Sequence, residues 1–514
     1  MAEAVGFGTR ITLIARSSPD RPALTFAPVA GPESVYTWAE LDAESNRAAR
    51  LLASHGAGPG TTVVVALRNG PAHFLVSIGA WKAGAMVLPL KPSLTPREQA
   101  AFLDLVRPVI VAADEWEGAP GTVFLGTPQL TATGHLDAGG LPPIVPHPGK
   151  AVASGGSTGR PKVIVDPRPW THRPGEVVGV GSPLGFRHGQ TQLVAGALSH
   201  NAPFCWAHFG LCEEHHLVLT DRFDPAHSLR LIERHRVGFL FMAPVMMQRV
   251  MKLPGVEHAD LSSVETLFHT AAPCPPWLKR AWIERLGPDR VIERFGASEA
   301  VGNTRITGGE WLTRPGSVGR GENTRIRILD DRGADVPVGE VGEIFMRALH
   351  TDEPTYEYLG AEPATTTPDG YTSVGDMGWL DADGYLYLAD RRPDMINIGG
   401  VNVYPAEVEA VLSEHPAVGD VAVVGLPDEE YGQRVHAVVK LAASVEAGAA
   451  ELIAFCRERL SAEKVPRGVE FRDRLPRDEA GKLRRRGLVP VAHAEGAESS
   501  VPPDLVEGPL KENR

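Results

Sequence analysis

From the start of the chain to about residue 150, short apolar runs alternate with stretches of helical period. Thr62 to Leu67 and Val109 to Ala112 read as buried strands, and Trp38 to His55 and Pro96 to Val106 read as helices. Such alternation predicts a largely parallel sheet covered by helices. The pattern returns from Leu217 to Val291, where the strand-like Val237 to Phe241 follows the amphipathic Pro225 to His235. The most apolar stretch, Phe74 to Leu90, is interrupted by Lys82 and several glycines. It predicts a buried helix leading into a strand, not a membrane span. Beyond Ser317, short strands around Asp331-Arg332-Gly333 and Asp383-Gly384 predict antiparallel hairpins. After Asp390-Arg391 a smaller α/β stretch follows: helix Pro405 to His415, strand Val421 to Val424, helix Ala449 to Glu463 and strand Val469 to Arg472.

These segments predict an α/β protein with a large N-terminal domain over residues 1–390, built of α/β subdomains plus a β-rich one, and a small C-terminal α/β domain over 391–493. No long Pro- or Gly-rich linker separates them, so the joint is expected to be a hinge of one or two residues. The last segment, 494–514, has four glutamates and three prolines with few apolar residues, and is expected to be disordered. A length of 514 residues agrees with more than one domain, since it exceeds what one core usually supports.

Charge and cysteine usage narrow the function. A net charge of −12 argues against a protein that neutralises nucleic-acid phosphates over a broad surface. Any anion must be held locally. No secretory signal is evident, and four cysteines are too few for a disulfide framework, so a reducing cytoplasm is the expected location. Cys205, His208, Cys212 and His215 carry metal-ligating side chains, but their spacing matches no common zinc module. Buried thiols and a packed histidine give the same pattern, and no structural metal is expected.

The strongest chemical signal is Ala153-Ser154-Gly155-Gly156-Ser157-Thr158-Gly159-Arg160-Pro161-Lys162. Backbone amides approach an anion closely only where side chains are absent, while hydroxyls and a lysine donate to phosphate oxygens. A plain Gly/Ser turn accounts for the glycines but not for Thr158 and Lys162. The loop is not of the Walker A type, because Pro161 precedes the lysine and Val163 follows it. Proline there disfavours immediate entry into a helix, so the loop is expected to join two strands.

This loop, with one stretch before it and several after, resembles the adenylate-forming superfamily of acyl-CoA synthetases, peptide-synthetase adenylation domains and luciferases, across residues from about 38 to 487. Pro89, Leu90 and Pro92 resemble its early P-L-x-P segment, Ser199-His-Asn-Ala-Pro-Phe204 its H-N-x-P-F stretch, and Thr270-Ala-Ala-Pro273 its adenine shelf. Arg294-Phe-Gly-Ala-Ser-Glu299 is similar to Y-G-x-T-E. Ser373-Val-Gly-Asp376 through Arg391 resembles the ribose and hinge region, Asn397 to Glu407 the signature after it, and Pro476 to Lys482 the P-x-x-x-x-G-K loop.

The resemblance implies an enzyme that uses ATP and Mg²⁺ to turn a small-molecule acid into an acyl-AMP, then passes the acyl group to a thiol, with CoA first among the acceptors. It assigns the phosphates to Ser154, Gly155, Gly156, Ser157, Thr158, Gly159 and Lys162, and the adenine to Ala271, Ala272 and Pro273 with Arg294, Phe295, Gly296 and Ser298. Asp376, whose carboxylate can accept from both hydroxyls of a diol, and Arg391 take the ribose. Glu299 and Thr158 are the expected Mg²⁺ ligands. Lys482 is the mobile cation that bridges the acid and the α-phosphate; by composition alone it would be an ordinary surface lysine beside Arg484, Arg485 and Arg486. The acid pocket falls to His200, Asn201, Phe204, Phe268, Thr270, Val301 and Gly302, with His200 gating or orienting the acid. Gly399 and Gly400 fall on the face used for the thiol.

Several points stay open at this level. Ser199-His-Asn-Ala-Pro offers no carboxylate to hold a substrate ammonium, which disfavours an amino acid. A carrier-protein thiol or an amine could take the acyl group instead of CoA, nitrite could replace the carboxylic acid, and luciferase-type oxidation shares the core motifs. Glu213-Glu-His-His216 stands where relatives often have a Gly-Gly turn, and the sequence supplies no reason for it. Oligomeric state, with a homodimer among the options, is not fixed by these residues.

Overall fold

The computed structural model describes residues 3–116, 121–155, 161–173, 182–351, 353–389, 396–398, 401–428, 431–443, 445–477, 483, 485 and 488. The expected hinge, residues 156–160 of the phosphate loop, Gly399, Gly400, Lys482 and the tail lie outside the described residues, as does the side chain of Ser154.

The apolar runs form two large sheets. One has seven strands in the order Glu357–Leu359, Pro161–Asp166, Lys150–Gly155, Met86–Pro89, Thr62–Ala66, Ile110–Ala113 and Val123–Leu125. From Lys150–Gly155 onward its pairs are parallel, and Val63 to Ala66 are at most 1% exposed. Burial on both faces is why these strands read as unbroken apolar runs. The other sheet has thirteen strands. Pro22–Phe26, His216–Leu219, Thr191–Val194, Phe239–Met242, Thr266–His269 and Val291–Glu293 lie parallel in that order. It continues antiparallel through Thr304–Thr307 and Ser317–Gly321 into the predicted hairpins, Thr324–Leu329 with Gly342–Ala348 and Thr372–Leu380 with Leu386–Leu388.

Local sequence sets the helix limits. Trp38–Ser54 and Pro96–Val106 each open on a reciprocal capping box, Thr37 with Glu40 and Thr95 with Glu98, which satisfies amides that the first turn leaves unpaired. The apolar stretch near Lys82 is the buried helix Pro71–Ala83, stopped at Gly84 by a left-handed φ of 87° before the strand Met86–Pro89. Lys82 is tolerated inside because its ammonium donates to Asp42 Oδ1 at 2.6 Å, Ser45 Oγ at 2.8 Å and Asn46 Oδ1 at 2.8 Å. Burial still pulls it down to about 8.

Sequence order and sheet membership diverge in two places. Pro22–Phe26, with its hairpin partner Ser34–Thr37, joins the larger sheet through His216–Leu219, not the sheet of the other strands before residue 150. Glu357–Leu359 returns to pair antiparallel with Pro161–Asp166. Periodicity identifies strands, whereas partners are chosen by long-range packing.

The C-terminal unit has its own core. Its sheet joins Val418–Asp428, Gly432–Leu441 and Gly468–Phe471, and helices Pro405–Glu414 and Ala449–Arg457 bury Val408, Leu412, Leu452 and Cys456. The strand expected at Val421 to Val424 is longer, and the helix expected to reach Glu463 stops at Arg457, before a short turn at Ala462–Lys464. Trp277 Nε1 donates to Ser413 Oγ at 3.1 Å and Lys252 Nζ to the Val418 carbonyl at 2.5 Å, tying this unit to the large one.

Of the residues that prompted a metal reading, the two histidines have protein partners and the two cysteines are buried free thiols. Cys205 and Cys212 are buried on helix Asn201–Cys212, and His208 Nδ1 lies 2.8 Å from the Phe204 carbonyl. His215 meets Gln192 Oε1 at 3.0 Å and the Arg187 carbonyl at 2.6 Å. The turn at 213–216 also gains a structural account. Glu214, at φ +59°, is clamped by Arg10 at 3.1 Å and Arg21 at 3.2 Å, and His216 Nε2 pairs with Thr25 Oγ1 at 2.8 Å. The turn thus fastens the N-terminal segment to the larger sheet.

Candidate active site

The C-terminal ends of the parallel strands carry most of the expected site. Strand Thr266–His269 delivers Thr270 to Pro273, and strand Val291–Glu293 delivers Arg294 to Glu299. The two loops are held side by side because the Arg294 amide donates to the His269 carbonyl at 3.1 Å. Beneath them Lys279 and Glu293 form an ion pair, with side chains 0% and 7% exposed. His269 is fully buried alongside, and desolvation, opposed by Glu293, pulls it down to about 4, so its ring is neutral near pH 7. Ala271 has φ +80°. A left-handed alanine is strained, and the packed strand ends are what hold it there.

Glu299 is the point where both sheets meet. A tight turn, with the Ala300 amide bound to the Ala297 carbonyl at 3.1 Å and Ala300 at φ +54°, sets its direction. Its Oε1 accepts from Tyr358 Oη at 2.6 Å and from Lys162 Nζ at 3.4 Å. Thr355 Oγ1 donates to its backbone carbonyl at 2.7 Å, and Lys162 Nζ stands 4.0 Å from the centre of the Tyr358 ring. Burial, then the Glu299 carboxylate, push the Tyr358 phenol well above its ordinary range, so it remains a donor. Among the described residues Glu299 Oε2 makes no hydrogen bond, which leaves one carboxylate oxygen for a ligand. Lys162 reaches this point because Lys150–Gly155 and Pro161–Asp166 form the expected two-strand hairpin, with Ser154 opposite Lys162.

Other expected residues fall around this centre. Asn201 Nδ2 donates to Ser298 Oγ at 3.3 Å, placing the first turn of helix Asn201–Cys212 beside the residue before Glu299. His200 is the residue that precedes this helix, in extended conformation. Asp376 lies in strand Thr372–Leu380 where the register shifts: Ser373 faces Phe345 and Met377 faces Glu343, so extra residues bulge outward with Gly375 at φ +73°. A bulge re-aims the side chains that it carries. Gly302 is demanded by packing, since a Cβ there would stand 2.5 Å from Thr324 Cγ2 and 2.9 Å from Met346 Cβ. Val301 joins the apolar cluster of the neighbouring hairpins.

Phe204 is placed differently from Asn201. It is 0% exposed and lies nearly one helical turn further in, packed on His208 at 4.3 Å and on Trp81 of helix Pro71–Ala83 at 6.0 Å. Phe268 is also fully buried, edge-on to Trp206 at 4.9 Å. Sequence reading missed Thr355, Tyr358 and Lys150, whose ammonium donates to Asn201 Oδ1 at 3.0 Å and Cys205 Sγ at 3.3 Å. The alternating Tyr356 and Tyr358 signal a strand, yet nothing local shows that it returns to the phosphate hairpin.

Comparison with known proteins finds relatives over most of the chain. The family model described as AMP-binding enzyme matches residues 12–351, and that of the AMP-binding enzyme C-terminal domain matches 407–482. A feruloyl-CoA synthase from Amycolatopsis sp is 32% identical over 491 residues, 93% of this chain and 97% of the relative. A fatty acid–[acyl-carrier-protein] ligase, ScoC of Streptomyces coeruleorubidus, is 28% identical across 88% of this chain and 91% of its own. Among solved structures, o-succinylbenzoate CoA synthetase of Bacillus subtilis with its acyl-adenylate intermediate aligns at TM-score 0.76 and 25% identity, covering 95% of this chain and 99% of that one. The same enzyme with ATP and magnesium ion aligns at 0.77 and 25% identity, over 95% and 100%.

Proposed function

Since this chain belongs to the AMP-binding enzyme family, we propose that it activates a carboxylic acid with ATP to an acyl-adenylate and passes the acyl group to the thiol of CoA. The observation that carries this reading is the meeting of Lys162 and Glu299 at the mouth between the sheets, one from the phosphate hairpin and one from the strand ends.

In the first step a carboxylate oxygen attacks the α-phosphorus of ATP, and the bond to the pyrophosphate oxygen breaks. Both partners are anions, so catalysis must offset their repulsion and hold them in line. Lys162 can leave Glu299 for the phosphates, joined by Ser154, Gly155, Gly156, Ser157, Thr158 and Gly159 of the same loop. Glu299, through Oε2, and Thr158 would hold Mg²⁺, which when bound neutralises part of the phosphate charge. Tyr358 fixes the Glu299 carboxylate by a bond to the other oxygen. Ala271, Ala272, Pro273, Arg294, Phe295, Gly296 and Ser298 would frame the adenine, and the bulged Asp376 with Arg391 the ribose. His200, Asn201 and Thr270 would line the acid's carboxyl end, and Lys482 would bridge the acid and the α-phosphate. In the second step the CoA sulfur attacks the acyl carbonyl and AMP leaves, with Gly399 and Gly400 on the thiol's path.

The division near residues 390 and 391 and a cytoplasmic setting belong to the same reading. Free thiols at Cys205, Cys212, Cys274 and Cys456 suit a reducing compartment, and among the described residues no helix is long and apolar enough to cross a membrane.

Incubation with ATP, Mg²⁺ and a panel of acids, with and without CoA, tests the acceptor by product mass. An acyl-CoA together with AMP and pyrophosphate is expected. AMP and pyrophosphate without a thioester from any acid would remove CoA from the account and leave a carrier-protein thiol or an amine.

A further inference from the structure

We infer that the acyl pocket of this chain is closed a short way below the reaction centre, so that its acid is compact: a single-ring aryl acid or a short aliphatic acid. The inference rests on the adenylation reading above and specifies its substrate. The contact from Asn201 to Ser298 sets the top of the pocket at the first turn of helix Asn201–Cys212. This helix connects strand Thr191–Val194 to the parallel neighbour His216–Leu219, so it must run back from the strand ends over the sheet. The layer between helix and sheet is therefore the direct way down for an acyl tail.

That way is filled with rings. Trp206 lies five residues beyond Asn201, roughly 7–8 Å along the axis and about 140° round it, on the side that faces the sheet residues Phe239 and Phe268. Its indole is 6% exposed and meets Phe268 at 4.9 Å and Phe186 at 5.2 Å, both edge-on. Phe186 meets Phe239 at 4.9 Å, and Phe241 meets Phe268 at 5.6 Å. Phe186, Phe239 and Phe268 are wholly buried. Edge-to-face and tilted contacts at these distances are those of a packed core rather than of an open channel.

The cavity beside the indole is small. Between the end of strand Thr191–Val194 and the helix, a cavity lined by Gly196, Pro203, Trp206 and Phe241 measures about 10 Å³, room for about one water. On the strand side the fit is tight: a Cβ on Gly196 would stand 2.9 Å from Pro203 Cγ. A long acyl chain would have to expel the indole from this cluster. A ring or a few methylenes would rest on it. Apart from Gln192, whose amide is bound to the Trp206 carbonyl and to His215, the residues lining this cavity are apolar, which selects an apolar acyl group.

The test is the dependence of pyrophosphate release on acid length. Wild type is compared with Trp206→Ala and the milder Trp206→Leu, using butanoate, hexanoate, dodecanoate, benzoate and biphenyl-carboxylate. In the wild type, kcat/KM is expected to fall at least about 100-fold from hexanoate to dodecanoate and from benzoate to biphenyl-carboxylate. Either variant should raise the long-to-short ratio by at least about 10-fold. A ratio within one preparation is insensitive to the share of protein that folds, and the leucine variant keeps a branched apolar side chain in the core if the alanine variant is too unstable. Equal use of dodecanoate and hexanoate by the wild type, or ratios unmoved in both variants, would overturn the closed pocket while leaving adenylation intact. Absence of pyrophosphate with every acid would overturn the adenylation reading and this inference with it.

Discussion

Replacing Lys482 by alanine is expected to lower acid-dependent pyrophosphate release by about 10²–10³-fold, the usual loss when one donor to a developing charge is removed. Thioester formation from supplied acyl-adenylate should stay within about threefold of wild type, because an interaction used in one half-reaction contributes nothing to the other. The expectation follows from the proposed bridge between two anions, and from the place of Lys482 in the smaller unit, which is proposed to turn about a short joint. Rapid quench of each half-reaction decides it. Equal loss of both would mean that the lysine serves the fold or a shared contact, and its assignment to the adenylation step alone would fail.

The second large effect is expected at Glu299. Glu299→Gln keeps an oxygen to accept from Tyr358 but removes the charge that faces Lys162 and the proposed Mg²⁺. We expect kcat/KM for pyrophosphate release to fall about 100-fold or more, with the Mg²⁺ concentration for half-maximal rate raised. A rate loss with an unchanged Mg²⁺ dependence would assign Glu299 to positioning Lys162 and Tyr358 rather than to the metal.

Much of this molecule is legible from its residues because its strongest constraints are local. The strands Thr62–Ala66 and Ile110–Ala113 are buried on both faces and so read as apolar runs, and the helix Pro96–Val106 carries its own start signal in Thr95 and Glu98. The phosphate hairpin is readable because Pro161 forbids a helix where a Walker loop needs one. What is not legible depends on distant partners. Tyr358 lies nearly two hundred residues from Lys162 in sequence, and only the pairing of Glu357–Leu359 with Pro161–Asp166 brings the two together at Glu299. Its place in a motif assigns Phe204 to the pocket, yet it is packed against Trp81 of helix Pro71–Ala83 and against His208. Trp206, two residues on, faces the rings instead, and no short motif distinguishes the two. The 213–216 turn has no reading in sequence because its reasons, Arg10, Arg21 and Thr25, come from the far N-terminus.

The central claim is that an acid and ATP react at the α-phosphorus before any thiol is needed. Exchange of labelled pyrophosphate into ATP measures this directly. The account predicts exchange that requires a compact acid and Mg²⁺, proceeds without CoA, and is lost in Lys482→Ala. ATP breakdown to ADP and phosphate, or exchange that appears only when CoA is present, would contradict it.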